Sequence, residues 1–125
     1  SFDIFIEFMD SISAAIVSGN TSVVLVPGGL AVPAMSFAEV LATSDLPAGV
    51  INILTGSLDE LAPWAASHMD IDGFDISGIA KKKHGALKEA GAENLKRIHA
   101  FGSGKTPKRI LAFMETKTVW HSVGI

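Results

Sequence analysis

Ser18-Gly19-Asn20-Thr21-Ser22-Val23-Val24-Leu25-Val26-Pro27-Gly28-Gly29 and, one unit later, Asp45-Leu46-Pro47-Ala48-Gly49-Val50-Ile51-Asn52-Ile53-Leu54-Thr55-Gly56 share one order of parts: a helix end, a glycine-bearing turn and a short apolar run. Neither apolar run alternates strictly with polar residues, so each predicts a strand covered on both faces, residues 22–26 and 50–54. Pro33 opens an apolar stretch between them that reads as a helix to Ser44. Helix and strand in this alternation predict an α/β fold with a parallel sheet between two helical layers. The ligand crevice of such a sheet lies at the carboxyl ends of its strands.

Working outward, Phe5, Ile6, Met9, Ile12 and Ile16 recur at helical spacing, which predicts an amphipathic helix over residues 4–18 that Gly19 or Asn20 caps in the left-handed conformation. Ser57-Leu58-Asp59-Glu60 has the form of a capping box opening a helix to about Ser67, with Leu58, Leu61, Ala62 and Trp64 or Ala65 turned inward. Residues 73–78 read as the third strand and its turn, with Val23, Ile51 and Phe74 side by side. A basic helix over residues 79–95 and a strand over 96–101 follow. Residues 109–119 are strand-like.

The chain has 125 residues, 48% of them hydrophobic, and a mean hydropathy of +0.39, high for a chain of one-domain size, so part of its surface is expected to be covered by a partner or another copy. It begins at Ser1 inside an apparent helix, as a piece of a longer chain or a processed product would. No apolar run is long enough to predict a membrane span, and no cysteine is present. Both features suit a cytoplasmic protein. Residues 1–80 hold ten acids and no Lys or Arg, whereas residues 81–125 hold all ten basic residues against three acids; the halves carry −10 and +7 within a net −3. Such halves attract each other, within the chain or between copies. Lys81, Lys82 and Lys83 have no interleaved aromatics, so they read as a solvated helix face and not as a nucleic-acid contact.

Pro27-Gly28-Gly29 is either a plain strand-to-helix turn or a place where backbone approaches a phosphate or ribose. Gly102-Ser103-Gly104-Lys105-Thr106 echoes a phosphate-binding loop but has His99 where that motif needs glycine. His68, His84, His99 and His121 show no metal-ligand spacing, and His68 reads as a structural turn residue.

Four of these pieces, in order, resemble the aldehyde dehydrogenase superfamily: Gly19-Asn20-Thr21, Val23-Val24-Leu25-Val26-Pro27, the run Asp45-Leu46-Pro47-Ala48-Gly49-Val50-Ile51-Asn52 through Gly56, and Ala66-Ser67-His68-Met69-Asp70-Ile71-Asp72; the tail Met114-Glu115-Thr116-Lys117-Thr118-Val119-Trp120 resembles the family's last strand. The resemblance implies a Rossmann-like, dinucleotide-binding unit over residues 1–105 and a tail strand over residues 106–125. It implies NAD or NADP as cofactor, with contacts at Val26, Pro27, Gly56, Ser77 and Gly78. It also implies a homo-oligomer or partner subunit held through residues 112–120, from Ala112 to Trp120. Departures are specific. Val26 stands at the family's ribose-binding Lys, Gly29 near its Glu, and Ile79 at a pyrophosphate-binding Ser.

Aldehyde oxidation in that family needs a Cys nucleophile and a Glu base. The chain has no Cys, and Phe101-Gly102-Ser103-Gly104-Lys105 stands where the family carries Glu-Leu-Gly-Gly-Lys. No catalytic residue is therefore assigned. Two functions remain open: an oxidoreductase piece that carries the cofactor fold but is inactive alone, or a non-catalytic assembly subunit that pairs through its tail strand.

Overall fold

The computed structural model describes residues 2–102, 107–115 and 119–120. In chain order the elements are α1 (Phe2–Val17), β1 (Ser22–Pro27), a 3-10 turn (Gly28–Leu30), α2 (Ala31–Ala42), β2 (Ile51–Gly56), α3 (Leu58–Ser67), β3 (Gly73–Asp75), a 3-10 turn (Lys81–Lys83), α4 (His84–Ala92), β4 (Arg97–His99) and α5 (Lys108–Ala112). The fold is α/β with parallel strands, as the repeat predicts.

Helix α1 stops because Gly19 adopts φ +74°. Its N–H reaches the Ile16 carbonyl at 3.0 Å and the Asn20 N–H reaches that of Ala15 at 3.1 Å, which ties up two carbonyls that would otherwise lack partners. The reversed chain runs straight into β1. Gly49, at φ +83°, makes the equivalent turn into β2. Strands β1 and β2 pair in parallel with Val23 opposite Asn52, Leu25 opposite Leu54 and Pro27 opposite Gly56.

The third strand departs from expectation. Phe74 does not lie beside β1 and β2 but pairs with Ile98, in a second two-stranded parallel sheet of β3 and β4. Strand β3 ends after three residues because the Asp75 carboxylate turns back to accept the Ser77 N–H at 2.9 Å, which removes that amide from any longer ladder. Nor are both faces of β1 and β2 fully covered. Val23 and Leu54 lie on one face and remain 52% and 48% exposed.

Helix α3 lies against both β1 and α4. Its most buried residues are Ala62 and Ala66, with Leu58, Leu61 and Ala65 half-buried beside them, so the expected face is used with Ala65 and not Trp64, which is exposed. Ala62, Ala66, Ile76 and Leu87 form the core, with Phe74, Ile79, Ala90 and Ile98 packed on it. On α1 the expected stripe is only partly used: Ile12 is buried, Ile6 is not, and Phe8 meets Phe37 of α2 edge-on at 6.1 Å.

The tail is also corrected. Residues 108–112 form helix α5 and not the expected strand. Lys, Arg, Leu and Ala are strong helix formers, and Pro107 immediately before them has the backbone angle that a helix start needs. Residues 113–115 continue as turn and irregular chain. The rest of the expected tail strand falls partly on residues 116–118 and 121–125, which lie outside the described residues.

Candidate functional site

The carboxyl ends of β1 and β2 bring Val26, Pro27 and Gly56 together, Val26 opposite Thr55 and Pro27 opposite Gly56. Val26 is 0% exposed, so its side chain is spent on packing. Gly28 and Gly29 follow on the surface, with nothing within 4 Å of where a Cβ would sit. Their backbone is therefore open to an approaching group. Gly56 is closed on its side-chain face, where a Cβ would come to 3.0 Å from Leu61 Cδ1.

The helix start behind Gly56 does not form the expected capping box. Ser57 is the N-cap, but its hydroxyl makes no capping bond; its main-chain carbonyl instead accepts from the N–H groups of Glu60 at 3.1 Å and Leu61 at 2.9 Å. Asp59, in the first turn, pairs with Lys83, and hydrogen bonding and attraction from that ammonium hold the Asp59 carboxyl below its ordinary value. Acids at this helix start offset the dipole that an anion would need.

Ser77 and Gly78 sit in the other strand pair, at the end of β3. The Ser77 hydroxyl donates to Asp75 Oδ1 and accepts the Phe101 N–H at 2.8 Å. Gly78 is exposed and open. The expected helix at 79–95 starts late: Lys81–Lys83 form a 3-10 turn and α4 begins at His84, because the Ile79 N–H folds back to the Ile76 carbonyl at 3.0 Å and the His84 ring bonds the Ile79 carbonyl at 2.8 Å. No long helix therefore presents its first N–H groups directly behind Gly78.

The second carboxylate oxygen of Asp75 lies 3.1 Å from Arg109 Nε of α5. The Arg109 guanidinium rests over the Phe101 ring, 5.1 Å from its centre. His99 stacks on Phe101, and Phe113 meets both rings edge-on. This cluster was not legible in the sequence, because its members lie up to 38 residues apart and no local spacing links them.

A second connection was equally hidden. Lys96 is only 8% exposed and its ammonium donates to the carbonyls of His68, at 2.7 Å, and Ile71. Burial pulls its pKa below the usual 10.5. His68 accordingly acts through its main chain, and its ring Nδ1 accepts the Asp70 N–H at 3.3 Å. Among the described residues, no group of three or more His, Asp or Glu is arranged to hold a metal. No helix among them is long and apolar enough to cross a membrane. The phosphate-loop echo falls on residues 103–106, outside the described residues.

Tested against a dinucleotide, the donor set is incomplete. Open backbone at Gly28, Gly29 and Gly78 suits a close-lying phosphate, but Val26 brings no charge, Pro27 has no N–H, and the Ser77 hydroxyl is engaged by a carboxylate. The residues present do not fit tight pyrophosphate binding.

The model of the aldehyde dehydrogenase family matches residues 5–123. The chain is 28% identical over 116 residues to aldehyde dehydrogenase [NAD(P)+] 1 of Saccharomyces cerevisiae, covering 91% of this chain and 23% of that protein. It is 30% identical over 102 residues to aldehyde dehydrogenase family 2 member C4 of Arabidopsis thaliana, covering 82% of this chain and 20% of the relative. With aldehyde dehydrogenase 9 of Polyandrocarpa misakiensis it shares 31% identity over 98 residues, 78% of this chain and 43% of the other. No solved structure is matched. The chain thus spans under half the length of each of these relatives.

Proposed function

The chain belongs to the aldehyde dehydrogenase family, and on that premise we propose that it is a piece of the cofactor-binding half of an NAD- or NADP-dependent oxidoreductase, inactive alone. Residues 1–105 make the dinucleotide-binding-type unit and residues 106–125 the tail. The observation that carries this reading is the parallel β1–β2 pair, whose carboxyl ends lead into the open backbone of Gly28 and Gly29. Cofactor contacts are assigned to Val26, Pro27, Gly56, Ser77 and Gly78, with the main chain supplying them at Val26 and Pro27. Binding is weak, because the acidic and apolar groups around these positions leave little to hold a pyrophosphate. A nucleophile and a base have to come from outside these residues, since the chain contains no Cys and has Phe101 in place of the family's Glu. The compartment that suits a cysteine-free chain of this kind is the cytoplasm.

The test is direct. Purified chain is mixed with an aldehyde and NAD or NADP, and reduced nicotinamide is followed by absorbance while the fluorescence of Trp64 and Trp120 is titrated with cofactor. No turnover, with a fluorescence change confined to millimolar cofactor, is expected. Unaided turnover, or silence of both tryptophans at millimolar cofactor, overturns it.

One observation favours a second role, assembly through the tail. Val119 and Trp120 are 70% and 91% exposed, which is costly for a free surface and suits a partner subunit or a second copy seated on residues 112–120. Deleting residues 116–125 is expected to lower the mass of the assembly in solution; an unchanged monomeric mass rules this role out.

A further inference from the structure

We propose that residues 107–114 form an intramolecular strap, which closes one face of the β3–β4 pair and is fastened there by Asp75, the same carboxylate that holds the Ser77 hydroxyl. Four separate attachments hold the strap. Arg109 pairs with Asp75 and lies over Phe101. Phe113 fills the space above Gly73 so closely that a Cβ there would stand 2.7 Å from its ring. The Phe113 carbonyl accepts from the Asn20 amide at 3.2 Å, and the Met114 carbonyl accepts from Arg97 Nη1 at 3.2 Å. The attachments to the β3–β4 pair fall on one side. In β3, Gly73 and Asp75 point away from Phe74, which belongs to the core with Leu87 of α4. Helices α3 and α4 cover the core face, and the strap covers the other.

The same carboxylate serves both ends of the device. Asp75 Oδ1 receives the Ser77 N–H and hydroxyl, while Oδ2 faces Arg109 Nε in a position shielded from water, at ion-pair distance but outside hydrogen-bond geometry. A shielded charge pair without ideal geometry is a joint that opens at modest cost. The structure holds the closed form. In the open form, Asp75 loses its cation and the face over Gly73 is uncovered, while the bonds of Ser77 to Asp75 Oδ1 and Phe101 stay in place. The strap stands on these contacts whether or not a dinucleotide binds, so its test is independent of cofactor.

Limited trypsin digestion reads it, comparing cleavage after Arg109, in the strap, with cleavage after Lys88, in α4 on the opposite face. Asp75→Asn keeps the shape of the side chain and removes its charge, and Phe113→Ala empties the recess over Gly73. Each variant is expected to raise cleavage after Arg109 by roughly tenfold, because proteolysis follows the population of the open form, with cleavage after Lys88 unchanged. Unchanged cleavage after Arg109 in both variants overturns the proposal. Equal acceleration at both sites in both variants also overturns it, because the segment then opens only with the whole domain.

Discussion

The ammonium of Lys96 ends 2.7 Å from the main-chain carbonyl of His68, joining the entry to β4 with the loop that follows α3. The Asn94 side chain donates to the same carbonyl at 3.1 Å, and the Arg97 N–H continues the connection to Asp72 at 2.9 Å. Two chain segments are thereby clamped together, with the buried Lys96 side chain as the shared donor. Lys96→Met keeps the aliphatic stem and deletes the donor. It is expected to lower unfolding free energy by about 1.5–3 kcal/mol, the usual worth of hydrogen bonds from a charged donor, as read from urea midpoints.

The clamp also has a pH signature. Because burial lowers the folded-state pKa of Lys96 below 10.5, the folded protein sheds this proton before the unfolded chain does. Between the two pKa values the unfolded state binds more protons, so this residue's contribution to stability rises with pH up to 10.5. Urea midpoints of the natural chain, less those of Lys96→Met, are expected to climb across that alkaline range. A flat or falling difference contradicts burial as the dominant influence on Lys96.

Leu95 makes Lys96 turn inward. It is the residue other than glycine found at positive φ among those described, at 57°, and its N–H reaches Ala92 at 3.2 Å while that of Lys96 reaches Gly91 at 3.0 Å. This is the helix-ending turn that normally recruits glycine. The Leu95 side chain is 91% exposed and contributes little packing. Leu95→Gly is therefore expected to stabilise the protein by about 0.5–1 kcal/mol, the relief of left-handed strain less the extra freedom of the unfolded chain. Thermal unfolding checks it.

How much of this was readable beforehand follows the range of the interactions. Helix and strand positions from Phe5 to Gly56 were legible because apolar spacing and the glycines at 19 and 49 act within a few residues. The separation of Phe74 from β1 was not, because a run of residues does not state which strand it will pair with. Helix α5 was misread as strand because the resemblance of the tail outweighed the helix-forming character of Lys108, Arg109, Leu111 and Ala112. At Ser77 the bond to Asp75 is local, but the bond from the Phe101 N–H spans 24 residues, and no local pattern announces it. Gly73 and Gly91 gave no local signal at all. Each matters only for what packs over it.

Gly91 shows how such a position can be tested. Ile98 of β4 packs directly on it: a Cβ at residue 91 would overlap Ile98 Cδ1 and come to 3.2 Å from Cγ1. Gly91→Ala gains helix propensity yet is expected to cost about 1–3 kcal/mol through overpacking. Ile98→Val, which removes the overlapping methyl, should cost about 0.5–1.5 kcal/mol alone but restore stability in the Gly91→Ala background. Simple additivity of the two losses in denaturant unfolding would refute the contact.

Val26 stands where the resemblance places a ribose-binding Lys, and its packing decides whether that charge is tolerated there. Its side chain is 0% exposed at the end of β1, opposite Thr55. A lysine there has to carry its ammonium through packed surface before reaching water. Val26→Lys is therefore expected to destabilise the domain by about 3 kcal/mol or more, by burying an unpaired charge and overfilling the site. It should not tighten NAD binding. Urea unfolding and the Trp64 fluorescence titration are read on the same variant. A folded Val26→Lys protein with higher NAD affinity would mean that β1 presents this side chain to the ligand crevice. The weak binding proposed here would then come from one substituted residue and not from the packing of the strand.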